Sequence, residues 1–162
     1  MIEDLEPESF PEAVALWRKT GLTRPWNDPM ADLKRAIEGE TSTVLAACSE
    51  AGVSETPVSE TPVSETPVSG AAASEKAARV LLGTAMVGHD GHRAWVYYVA
   101  VSPDHRGQGV GRALMHACEE WVRARGIPKI QLMVRHTNPG VIEFYKALGY
   151  VDAETTVLGR FL

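Results

Sequence analysis

Between residues 99 and 111 the chain reads Val-Ala-Val-Ser-Pro-Asp-His-Arg-Gly-Gln-Gly-Val-Gly. An apolar strand enters a turn, and glycines at every second position then open a helix. Gly107, Gly109 and Gly111 carry no Cβ, so the backbone there can turn sharply and approach a ligand closely. The helix that follows offers unpaired N–H groups and the positive end of its dipole, a combination that favours phosphate. Arg106 adds a cation at the mouth of a loop that runs through Gln108 and Val110 to Arg112. The chemistry this spacing suits is the binding of a diphosphate. A dinucleotide fingerprint needs G-x-G-x-x-G, whereas these glycines run G-x-G-x-G with Arg112 at the last required position. A P-loop needs G-x-x-x-x-G-K-[ST], and no Lys-Ser or Lys-Thr pair follows.

The elements that must hold this loop are legible from periodicity. Phe10, Ala13, Val14 and Trp17 form a helical stripe ending near Gly21, with Ser9 and Glu12 spaced as a capping box. A second short helix begins at Pro29 with Asp28 as its N-cap and stops by Gly39. Strands are predicted over 43–48, 79–87 and 95–101. Tyr97 and Tyr98 are adjacent and so expected on opposite faces, one in the core and one on a cleft. Val110, Leu114, Ala117, Cys118, Trp121 and Val122 recur at helical spacing until Gly126 and Pro128 end that helix. Alternation over 129–135 gives another strand. Asn138-Pro139 open a last helix, on which Val141, Tyr145 and Leu148 share a face and which Gly149 closes. Residues 153–162 can supply a terminal strand. The order β-α-α-β-β-β-α-β-α-β describes an α+β fold around a mixed sheet.

A chain of 162 residues is expected to be one domain, residues 1–162. Residues 53 to 67 are three copies of Val-Ser-Glu-Thr-Pro. Proline at every fifth position blocks helix and central strand, so residues 50–77 read as a disordered insertion at the tip of a β-hairpin. A net charge of -5 leaves no basic surplus for nucleic acid. Cys48 and Cys118 read as small buried hydrophobes rather than a disulfide. The five histidines show no metal-ligand spacing, so no metal is expected. No leader-like segment opens the chain and no apolar run approaches the length of a membrane span, so a cytoplasmic protein without membrane attachment is expected.

The pattern Arg106-x-x-Gly109-x-Gly111 resembles the acyl-CoA loop of the GNAT family of N-acetyltransferases. The resemblance extends through Asn138 and Phe144-Tyr145-Lys146-Ala147-Leu148-Gly149-Tyr150, and it covers residues 95 to 150 in the family's order. It implies the acyl-CoA N-acyltransferase fold, a mostly antiparallel mixed sheet flanked by helices. It also implies acetyl-CoA as donor, an amine as acceptor, and direct transfer in a ternary complex. The chain itself is expected to be a monomer or homodimer. The 106–112 loop would anchor the diphosphate, and the main chain of Val99 and Val101 would pair with the pantetheine arm as an added strand does. A main-chain N–H near Val99 would polarise the thioester carbonyl. Asn138 stands where the family's Asn contacts the cofactor arm, and Asn before Pro is also a good N-cap. Tyr145 stands where the family's tyrosine protonates the departing thiolate; its alternative role is to fill the helix–sheet core.

The expected base is missing. Some family members carry a Glu within the strand equivalent to residues 129–135, and Met133 stands where protein N-terminal acetyltransferases have theirs. The strand at 95–101 has no carboxylate either. An α-amino group with pKa of about 8 is roughly one-tenth neutral at pH 7, against under about one part in a thousand for a lysine-type amine of pKa about 10.4. A site without a base therefore suits amines of lower pKa, or a water chain ending at Tyr98, His89 or Asp90. Arg24-Pro25-Trp26-Asn27-Asp28-Pro29 and Asp90-Gly91-His92-Arg93 resemble segments of the small bacterial YpeA-like branch. There the loop between the first two helices walls the acceptor pocket. Trp26, Asn27, Asp28 and Tyr98 are accordingly candidates on the acceptor side, Trp26 stacking on the acceptor and Asp28 pairing with its cation. The alternative for Trp26 and Asp28 is a packed ring and a helix cap. A different class of function, an acyl-CoA sensor that does no chemistry, keeps the loop without the transfer.

Overall fold

A computed structural model describes residues 1–50, 79–135 and 137–161. The expected insertion at 50–77 falls almost wholly outside the described residues. The elements are β1 (Ile2–Asp4), α1 (Phe10–Lys19), α2 (Pro29–Glu38), β2 (Ser42–Glu50), β3 (Arg79–His89), β4 (Ala94–Val101), α3 (Val110–Arg123), β5 (Ile130–Leu132) and α4 (Pro139–Lys146). The sheet runs in the order β1-β2-β3-β4-β5. Its first four strands are antiparallel, and β5 lies parallel to β4 after the crossover through α3.

Alternation along β2 explains how one sheet carries two cores. Val44 and Ala46 pack on one side with Ala13, Val14, Trp17 and Leu33 of α1 and α2. Leu45 and Ala47 pack on the other with Leu114, Met115, Cys118 and Val122 of α3 and Tyr145 of α4. A strand buried on both faces must be apolar throughout, as Val44-Leu45-Ala46-Ala47 is. Gly83 sits where β3 and β4 close in: a Cβ there would stand 2.5 Å from the Ala100 carbonyl oxygen and 3.1 Å from Leu114 Cδ1. Asp28 caps α2 through its side chain, accepting from the Met30 and Ala31 N–H groups.

Several local expectations are corrected. The Ser9–Glu12 capping box does not form: a 3-10 turn over Pro7–Ser9 leads into α1, and Ser9 is already helical with no side-chain cap bond. An N-cap side chain needs an extended backbone to reach back, which that turn removes. The strand expected over 129–135 is limited to Ile130–Leu132. The terminal strand expected at 153–162 is absent from the described residues. There the Asp152 side chain accepts from the Glu154 N–H at 2.8 Å, and Glu154 takes a φ of 51°. That local turn bends the chain away from an extended run.

Tyr97 and Tyr98 do not face opposite ways. Across β3, Met86 pairs with Tyr97 but Thr84 pairs with Ala100, so two residues of β4 oppose Ala85 alone. This bulge carries Tyr98 at φ 49° and interrupts the alternation, leaving both rings on the α1–α2 side of the sheet.

Candidate active site

The glycine loop forms the sharp entry into α3. Gly107 and Gly109 have φ of 75° and 83°, and nothing stands within 4 Å of where a Cβ would sit. Their requirement is therefore conformational, not steric. Gly111 differs. A Cβ there would lie 3.3 Å from Phe144 Cζ and 3.5 Å from Val101 Cγ2, so this glycine lets α3, β4 and α4 meet. Gly109 is the N-cap of α3, no side chain caps it, and the first turn holds no acidic residue. Among the described residues the N–H groups of Val110, Gly111 and Arg112 donate to nothing, and Arg106, Gln108 and Arg112 are exposed beside them. Unpaired donors at the positive end of a 14-residue helix are the kind of groups that suit an anion.

The edge of β4 beside this loop is open. β5 pairs with β4 only over Ala94–Val96, so from Tyr97 to Val101 that edge has no strand partner among the described residues. The Ser102 N–H turns to β3, donating to the Leu82 carbonyl. By strand alternation the N–H of Val101 points the other way, into the opening, and Val99 follows along the same unpartnered edge. Asn138 is exposed at the start of α4, and its side chain makes no cap bond.

Tyr145 is 8% exposed among α3, the sheet and α4. Phe144 and Tyr150 meet its ring edge-on at 5.0 and 5.7 Å. Burial, with the Cys118 thiol beside it, pushes its phenol up to about 12. Among the described residues its hydroxyl has no hydrogen-bond partner. Tyr150 instead donates to Glu119 at 2.9 Å.

On the opposite face of the sheet lies a cleft of about 530 Å³, bordered by Asn27, Asp32, Arg35, Trp95, Tyr97 and Tyr98. Of the acceptor-side candidates it takes in Asn27 and Tyr98 but not Trp26 or Asp28. Trp26 is 63% exposed and meets Phe161 edge-on, and Asp28 is occupied as the cap of α2. Asp32 and Arg35, an ion pair one turn into α2, were not foreseen. The Tyr98 hydroxyl donates to Asp32 Oδ2 at 2.8 Å, and Asn27 Nδ2 donates to the Tyr98 oxygen at 3.4 Å. Burial, then the Asp32 bond and charge against the Asn27 bond, leaves the Tyr98 phenol above its usual range. A charged pair at i and i+3 on an amphipathic helix is ordinarily a solvated face, so only the partner on a distant strand marks it. The Tyr98 backbone stores strain of about 1–2 kcal/mol, held by packing. Its ring stacks on Trp17 at 4.1 Å, and Trp17 Nε1–H donates to the buried Thr84 hydroxyl at 2.7 Å.

The sheet splits beyond Val96, the uncapped start of α3 stands at the split, and the cleft lies behind it. Residues 12–150 match the Acetyltransferase (GNAT) family, and the chain belongs to that family. Solved structures share the fold at low identity. The aminoglycoside acetyltransferase AAC(6')-Iy, in complex with the bisubstrate analogue CoA-S-monomethyl-acetylneamine, aligns with a TM-score of 0.68 and 16% identity over 100% of this chain and 97% of its own. A protein described as a transcriptional regulator from Bacillus halodurans C-125 aligns at 0.66 and 16% over 99% of both chains. An aminoglycoside acetyltransferase from an uncultured soil metagenomic sample, in complex with sisomicin, aligns at 0.65 and 12% over 100% of this chain and 95% of its own.

Proposed function

We propose that the protein transfers the acetyl group of acetyl-CoA to a primary amine, directly, in a ternary complex. The observation that carries this reading is the set of unpaired N–H groups at the start of α3, behind two left-handed glycines and next to the open edge of β4. The loop from Arg106 to Arg112 grips the diphosphate, while Val99, Val101 and Asn138 hold the arm that ends in the thioester. One main-chain N–H near Val99 supports the carbonyl oxygen as it gains charge, a contribution of roughly 3 kcal/mol in comparable sites.

Tyr145 meets the departing sulfur. Its phenol, at about 12, is protonated throughout the physiological range and is a standing donor. Full transfer to a thiolate of pKa about 8.5 runs uphill, so the hydrogen bond stabilises the thiolate first and solvent completes the thiol. The amine approaches from the cleft on the far face, past Asn27 and Tyr98.

Thiol release from acetyl-CoA, measured across a panel of amines that spans α-amino and lysine-type groups, tests the reading. Saturable, amine-dependent release with an acetylated product by mass spectrometry is expected. Binding of acetyl-CoA with no release for any amine rejects transfer and leaves an acyl-CoA sensor.

A further inference from the structure

Tyr98 is the residue on which the two halves of the site converge. Its neighbour Val99 lies on the open edge of β4, and its own ring lies in the cleft on the other side. The bulge that puts it there forces a left-handed backbone on an aromatic residue, and the stack on Trp17 fixes the ring. Its hydroxyl proton is committed to Asp32 Oδ2 at 2.8 Å and one lone pair accepts from Asn27 Nδ2 at 3.4 Å, which leaves the second lone pair to accept from an incoming N–H. The other Asp32 oxygen is held by Arg35, so the carboxylate cannot swing away, yet the side chain is 21% exposed and keeps a route to water. Neither strand at the split offers a carboxylate, and the nitrogen must still lose a proton as its bond to carbon forms.

We propose that Tyr98 takes that proton, with Asp32 as the group that positions its phenol and receives the proton in turn. The inference rests on the acetyl-transfer reading above. As the amine lone pair forms the C–N bond, one N–H proton passes to the Tyr98 oxygen and the original hydroxyl proton passes to Asp32 Oδ2. The C–S bond breaks, and its electron pair leaves on sulfur as a thiolate facing Tyr145. Asp32 then releases its proton to water, and the thiolate takes one from water, so the products are an acetamide and a thiol. The nitrogen becomes far more acidic once it has attacked, so its proton is surrendered readily at that moment.

The test uses the full chain, saturating acetyl-CoA and the best amine of the panel. Tyr98→Phe keeps the ring and its stack on Trp17; kcat should fall by roughly 100-fold with KM for the amine within about twofold and acetyl-CoA affinity unchanged. Asp32→Asn should lower kcat by a similar factor, again without moving KM. Because both act on one proton path, the double variant should be no more than about twofold slower than the slower single variant. Circular dichroism checks that each variant is folded, and if Asp32→Asn is not, Tyr98→Phe decides alone. Loss confined to KM, single variants within about threefold of the parent, or multiplying losses overturn the relay while leaving acetyl transfer intact. A parent that binds acetyl-CoA but acetylates no amine overturns the transfer reading, and the relay with it.

Discussion

Replacing Gly109 with valine separates ligand binding from folding. At φ 83° a β-branched residue is strained by about 1–2 kcal/mol or more, although no atom lies within 4 Å to obstruct the side chain. The cheapest relief is rotation of the loop out of the left-handed region, which turns the adjoining N–H groups away from a common focus. Hydrogen bonds to a charged acceptor are each worth about 1.5–3 kcal/mol, so losing even one weakens binding by roughly 10- to 150-fold. Calorimetric titration with acetyl-CoA reads the affinity, and a melting curve reads the fold. Gly126→Val is the control. Gly126 has φ 70° and equally open surroundings but lies beyond the far end of α3. Both variants should lose comparable stability, while only Gly109→Val loses affinity. Equal affinity in the two variants, or equal losses, would refute the assignment of the 106–112 loop to the diphosphate.

Tyr145→Phe removes one hydrogen bond to the thiolate, worth about 1.5–3 kcal/mol, so turnover should fall by roughly 10- to 150-fold with unchanged acetyl-CoA affinity, and a loss under about threefold removes the hydroxyl from the chemistry. The same substitution has a pH signature in stability. The Tyr145 phenol is raised by burial from 10.0 to about 12, so the folded state holds its proton longer than the unfolded chain. Its contribution is complete below pH 10 and is lost as pH climbs toward 12, so denaturant titrations should show the parent losing up to about 2–3 kcal/mol more than Tyr145→Phe across that window. Asp28→Ala should cost about 1 kcal/mol of stability through the lost cap and leave KM for the amine unchanged; a raised KM would return Asp28 to the acceptor side. Gly111→Leu should fail differently from Gly109→Val, lowering the melting temperature sharply because a side chain there drives into Phe144 and Val101.

The glycine turn into α3, which is proposed to bind the diphosphate, was legible as a turn because its parts are contiguous. Left-handed turn, N-cap and first helical turn all fall within Arg106–Arg112, and glycine spacing reports backbone conformation directly. The cap at Asp28 and the α3 stripe were legible for the same local reason. What could not be read depended on strand register. The bulge that turns Tyr98 onto the face of Tyr97 is defined by the mismatch of Thr84 and Met86 across β3, and no period-two pattern in β4 announces it. Asp32 is 66 residues from the hydroxyl that picks it out. The terminal strand failed because an Asp152 side-chain turn competes locally with sheet extension, a contest that apolar counting does not register.

In the proposed reaction one strand meets both substrates by different means, which would explain why so few side chains there carry chemistry. On that reading the edge of β4 would serve the donor through main-chain groups, which sequence change cannot remove. The face of β4 would serve the acceptor through Tyr98, whose ring reaches the cleft because the bulge rotates it there. Attack requires the two to be in register within a fraction of an ångström, and a bulge within one strand sets that register covalently. Packing then only has to keep the strand still. Trp17, hydrogen-bonded to Thr84 and stacked on Tyr98, does this from the acceptor side. Leu114 and Phe144, packed against Gly83 and Gly111, do it from the donor side. Trp17→Phe should therefore disturb more than stability. Removing the indole N–H leaves the buried Thr84 hydroxyl without its donor, at a cost of about 1–3 kcal/mol, and loosens the ring that holds Tyr98. Amine turnover should drop severalfold while acetyl-CoA affinity, assigned to the edge of β4 and the start of α3, stays constant. A parallel loss of acetyl-CoA affinity would mean that the donor and acceptor faces of β4 are not held independently.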